Sequence, residues 1–118
     1  MTWIDIIADN YGLIYERRIA MFFITKWKVQ PDNFITALKR FTSGDPTQEF
    51  PDGVRLVGRW HTPASSSGVA IIESDDPEAV MKWTLKWNDL MDITLEPAME
   101  DESAGQMAIE KLASIGEN

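Results

Sequence analysis

"VRLVGRWHTPASSSGVAIIES", residues 54–74, decides the fold. Two runs rich in β-branched and aromatic residues, "VRLVGRWHT" and "VAIIES", flank the turn-forming "PASSSG". That pattern predicts a β-hairpin. Upstream, "MFFITKWKV" (21–29) reads as a strand. In "QPDNFITALKRFTSG" (30–44), Pro31 suits a helix start. Phe34, Ala37, Leu38 and Phe41 recur at helical spacing, and Gly44 can end the helix. "DPTQEFPDG" (45–53) reads as a loop.

Downstream, "SDDPEAVMKWTLKWNDL" (74–90) predicts a second helix, with Asp76 as N-cap and Pro77 at its first position. Val80, Trp83, Trp87 and Leu90 would line its inner face. "MDITLEPAM" (91–99) alternates as a fourth strand, and residues 102–115 predict a last helix. From Met21 the order is β-α-β-β-α-β, a ferredoxin-like α+β unit with a four-stranded antiparallel sheet. Right-handed crossovers put both helices on one face, with expected strand order 4-1-3-2. The other face is bare and needs cover from a second subunit or the C-terminal helix.

The chain has 118 residues, the length of one domain. Residues 1–20 read as an extension, and 21–118 as the α+β domain. In the extension, Trp3, Ile7, Tyr11 and Ile14 fall at helical spacing, although Gly12 opposes a helix. Two readings stay open there, a functional arm or a start upstream of a native Met21. The segment has acids near its start and no basic stretch, so it does not read as a signal peptide. No apolar run is long enough to span a membrane, and a cytoplasmic protein is expected. There is no cysteine, which excludes disulfides and thiolate chemistry. The net charge of −8, with no segregated basic patch, argues against nucleic acid.

"GRWH", "GVAIIESDDPEAV" and "KWNDLMDITLEPAMED" resemble a family of small uncharacterised bacterial proteins with a domain of unknown function. That family belongs to the dimeric α+β barrel superfamily. The likeness covers about residues 21–102 and rests on pattern and topology. It implies two sheets packed face to face in a homodimer around a cavity. Relatives in the superfamily include cofactor-independent monooxygenases, dye-decolourising haem enzymes, isomerases and stress-responsive barrels. The resemblance therefore carries fold further than function.

Strand alternation assigns faces. In the fourth strand, Met91, Ile93, Leu95 and Met99 are expected beneath the helices, with Asp92, Thr94 and Glu96 on the opposite side. In the second, Val54, Leu56, Gly58 and Trp60 are expected beneath the helices. Arg55, Val57, Arg59 and His61 would then face a barrel cavity together with Thr94 and Glu96. Arg59 or Arg55 would pair with Glu96 of a partner subunit.

His61, the single histidine, is the catalytic candidate, because its ordinary pKa lies near neutrality. A hydrogen-bonded histidine at a strand end is the competing reading. Arg59, Arg55, Val57, Thr94 and Glu96 are the ligand-binding candidates, with Arg59 orienting an anion. Ser65, Ser66 and Ser67 lack a nucleophile elbow. No metal site is expected from one histidine and carboxylates alone, and "EPAMEDES" lacks calcium-loop spacing. No cofactor is expected, haem included. Trp83 and Trp87 are expected in the core, and Trp27 is left open. The leading reading is a homodimer that binds a small organic ligand in its cavity, with oxygenase- or isomerase-like chemistry. The alternative is a non-catalytic dimer or interaction module.

Overall fold

A computed structural model describes residues 4–8, 14–18 and 20–117, the first two segments by backbone alone. Strand β1 (Ile4–Ala8) pairs antiparallel with β2 (Ile14–Arg18). The helical spacing expected here is therefore overturned for these residues: Ile7 and Ile14 lie in a two-stranded ladder. Trp3, Tyr11 and Gly12 lie outside the described residues.

The main sheet contains β3 (Met21–Val29), β4 (Arg55–His61), β5 (Ser67–Ser74) and β6 (Met91–Ala98). Its spatial order is β4-β5-β3-β6, every pair antiparallel, which is the order expected of a ferredoxin-like unit. Helix α1 (Phe34–Ser43) follows a 3-10 turn at Pro31–Asn33. A one-turn helix, α2 (Pro46–Glu49), interrupts the expected loop. Helix α3 (Pro77–Leu85) starts as its sequence predicts, with the Asp76 side chain accepting from Glu78 N and Ala79 N. It ends five residues earlier than expected, so Trp87 and Leu90 sit in the turns before β6. Helix α4 (Asp101–Ser114) has no buried residue.

One sheet face carries the helices. Phe23, Thr25, Trp27 and Val29 of β3 point there, in register with Ile72, Ala70 and Gly68 of β5 and with Leu95, Ile93 and Met91 of β6. The core forms two clusters on this face. Phe23, Val54, Ala70, Ile72, Ala79, Val80 and Trp83 make the larger, under α3. Val29, Ala37 and Leu90 make the smaller, under α1.

The expected faces hold for Met91, Ile93 and Leu95. Met99 lies beyond the end of β6 and is exposed, not under the helices. In β4 the alternation breaks. Leu56 pairs with Ile72, but Gly58 pairs with Ile71, so Val57 is an extra, exposed residue in a β-bulge. One added residue inverts every side chain after it. Arg59 and His61 consequently lie under the helices, in register with Ala70 and Gly68, where the sequence places them on the opposite face. Trp60 makes the reverse move: it lies on the open face, pairs with Val69 and is 60% exposed. Arg55, ahead of the bulge, keeps its expected face, as do Thr94 and Glu96, which pair with Lys26 and Ile24. Among the described residues no helix is long and apolar enough to cross a membrane.

Candidate functional site

Between α1 and the helix-bearing face of the sheet lies a cleft of about 340 Å³. Its size falls within the range of small-molecule sites. Its floor is the central sheet, where β5 offers only small residues. Ala70 stands between Thr25 and Arg59, and Gly68 between Trp27 and His61. Gly68 is required by its neighbours: a Cβ there would run into the Trp27 indole, which lies over it, and into the Trp60 carbonyl oxygen. The Trp27 ring in turn meets His61 edge-on at 5.3 Å between centroids.

Helix α1 supplies the roof with Phe34, Ala37, Leu38 and Phe41, the apolar face that its sequence predicts. Of these only Ala37 is buried. Leu38 remains 38% exposed and Phe41 43% exposed. Protein thus covers Leu38 and Phe41 only in part. Trp83, Trp87, Met91 and Ile93 complete the apolar walls.

Two ionisable groups line the cleft, Arg59 and His61. Arg59 is already balanced. Its Nη1 donates to Glu49 Oε2 at 2.6 Å, both side chains being largely buried. The same oxygen accepts from Trp83 Nε1 at 3.2 Å. Glu49 is the last residue of the one-turn helix α2. Asp45 caps it by accepting from Thr47 N, and Lys86 Nζ donates to the Gln48 and Glu49 carbonyls at 2.8 Å each. The Arg59 guanidinium also lies 5.2 Å from the Phe41 ring centroid and 5.8 Å from that of Phe50. The expected partnership of Arg59 with Glu96 across a dimer is overturned by the same inversion: its partner is Glu49 of the same chain. Arg55 pairs with its cross-strand neighbour Glu73 at 3.0 Å, on the open face.

His61 also packs against Phe41 of α1 at 5.1 Å and makes no hydrogen bond among the described residues. The structure therefore brings Arg59 and His61 together in the cleft, and leaves Arg55, Thr94 and Glu96 on the far side of the sheet. Sequence reasoning missed Thr25, Trp27, Phe41 and Glu49. Glu49 carried no signal, since it sits in a stretch that reads as loop. Among the described residues no group of three or more histidines and carboxylates could hold a metal ion.

The outer wall is braced. Arg40, on α1, donates through Nη1 and Nη2 to the two Asp89 carboxylate oxygens at 2.7 and 2.9 Å, and to the Lys86 carbonyl. Asp89 is held below the ordinary carboxylate value, chiefly by that hydrogen bond. At the rim, Ser65 adopts a left-handed backbone (φ 63°) in the β4–β5 turn.

The fold and site together define a ferredoxin-like α+β domain with an aromatic, nearly neutral cleft under its helices. The chain belongs to the family described as Domain of unknown function (DUF3303), which matches residues 21–112. No curated protein and no solved structure matches it.

Proposed function

We propose that this protein binds a small, neutral, mainly aromatic organic molecule in the cleft between α1 and the sheet. The observation that carries the reading is the state of α1. A helix normally buries its apolar face against protein, yet Leu38 and Phe41 face the cleft and stay more than a third exposed. An apolar ligand would cover them. Neutrality follows from charge: Arg59 is compensated by Glu49, so the cleft holds no free cation to attract an anion. This departs from the expectation that Arg59 orients an anion.

His61 is the group that exchanges a proton with the ligand, if the cleft is also a reaction site. Its ring is fixed between Trp27 and Phe41 while its nitrogens remain available. We also propose that two copies pair through the open sheet face, as the dimeric barrel superfamily would have it. Support comes from the apolar residues on that face, Phe22, Ile24, Val69, Ile71 and Trp60. Helix α4, which buries no residue, adds further uncovered apolar surface with Met107, Ile109 and Leu112, as does Ile115 just after it.

The test is quenching or enhancement of tryptophan fluorescence by a neutral arene such as N-phenyl-1-naphthylamine. Trp27, Trp83 and Trp87 all line the cleft. Saturable binding that Leu38→Asp abolishes is expected. Leu38 is partly exposed, so the charge enters the wall without entering the core. Absence of saturable binding returns the protein to a purely structural or interaction module.

A further inference from the structure

Thr25 is the least exposed polar residue of the sheet, at 2%, and lines the cleft. Its hydroxyl has no hydrogen-bond partner among the described residues. The cause is local. Its two cross-strand neighbours on the same face are Ala70 and Leu95, and neither side chain offers a donor or acceptor. A buried hydroxyl without a partner is costly, and native proteins rarely keep one without a use. Valine has nearly the same shape and suits a central strand at least as well. The hydroxyl therefore contributes nothing visible to the fold.

We infer that Thr25 is the polar anchor of the cleft, and that the ligand is an aromatic molecule carrying a hydroxyl or carbonyl at its inner end. The inference rests on the cleft being a binding site, and it narrows the class of ligand. The aromatic body would lie against the apolar walls of the cleft. The Thr25 Oγ1 is shielded in the ligand-free structure, so the ligand's oxygen would meet it once a rotation about χ1 turns the hydroxyl toward the cleft, where it can both donate and accept. Because neither the Thr25 side nor the Arg59–Glu49 pair carries net charge, the oxygen is that of a neutral phenol, alcohol or ketone rather than a carboxylate or phosphate. A buried polar group that finds no partner in the protein selects for ligands that satisfy it.

The experiment compares naphthalene with 2-naphthol, two probes that differ by one hydroxyl. Both are titrated into wild type, Thr25→Val and Thr25→Ser. Thr25→Val is expected to weaken 2-naphthol about five- to tenfold while leaving naphthalene within about twofold. Thr25→Ser, which keeps the hydroxyl, is expected to retain the preference. If both probes bind and Thr25→Val treats them alike, the anchor is wrong and the cleft stands. If neither probe binds wild type, the binding site and the anchor are both wrong. Circular dichroism of each variant separates loss of fold from loss of contact. Should Thr25→Val fail to fold, the Thr25→Ser comparison decides alone: loss of the preference in that variant overturns the anchor.

Discussion

Glu49 lies ten residues before Arg59 in the chain, and its carboxylate meets the Arg59 guanidinium at 2.6 Å inside the protein. The contact spans the short helix α2 and the far end of β4. It makes an otherwise cationic wall neutral. Glu49→Gln keeps the shape and removes the charge, leaving Arg59 uncompensated. The variant is expected to lose about 2–3 kcal/mol of stability in denaturant unfolding. It should also gain affinity for an anionic dye such as anilinonaphthalene sulfonate. Unchanged dye binding would mean that Arg59 does not set the charge of the cleft.

Trp27 and Gly68 form the second critical pair. Gly68→Ala places a Cβ inside the present position of the indole. The Cβ also meets the Trp60 carbonyl oxygen, so both the ring and the neighbouring β4 backbone must move. Overpacking of this kind costs about 1–3 kcal/mol. The expected result is a lower melting temperature together with loss of arene binding. A fully stable variant with normal binding would show that the indole does not form the floor.

Thr25→Val has an opposite effect on the free protein. Removing an unpartnered buried hydroxyl is expected to stabilise the fold by about 1 kcal/mol, roughly 4 °C in a thermal melt. A fall in melting temperature would show that the hydroxyl is satisfied in the ligand-free state.

The Asp89 carboxyl, lowered by Arg40, links the brace of α1 to pH. Its folded pKa lies below the ordinary 3.8, so its contribution is present above that pH and fades as pH falls through the folded value. Because the carboxylate is at the surface, the effect on global stability is small. Asp89→Asn is expected to flatten the acid limb of stability below pH 4. It should also raise amide exchange at the C-terminal end of α1 at neutral pH. Identical acid limbs would indicate that Arg40 finds another partner.

The open face makes a separate prediction. Trp60→Glu introduces a charge on a residue already 60% exposed, so the fold should persist. Light scattering is expected to report twice the 13.4 kDa chain mass for wild type and the chain mass for the variant. A wild-type monomer would remove the face-to-face pairing and leave the cleft untouched.

The order of elements from Met21 was legible because hydrophobic period, caps and turns agree along that stretch. The candidate site was only half legible. Arg59 and His61 line the cleft from the face opposite to the expected one, since strand alternation assumes an unbroken ladder. The bulge at Val57 breaks it. Gly58 was the available sign, because glycine inside a strand often marks a bulge. The unpartnered hydroxyl of Thr25 was not legible. Threonine is ordinary in a strand, and only tertiary burial leaves its hydroxyl without a partner. At the N-terminus, Ile7 and Ile14 fit a helical stripe, but β1–β2 pairing prevails over that spacing.

The cleft and the open face are on opposite sides of one sheet, so one measurement separates them. Wild-type protein labelled with ¹⁵N and methyl ¹³C is titrated with 2-naphthol and followed by NMR. The expected shifts fall on the indole groups of Trp27, Trp83 and Trp87 and on the Thr25 methyl, saturating at one ligand per chain. Shifts clustered on Trp60, Ile24 and Ile71, or no saturable shifts, would contradict a binding site beneath the helices.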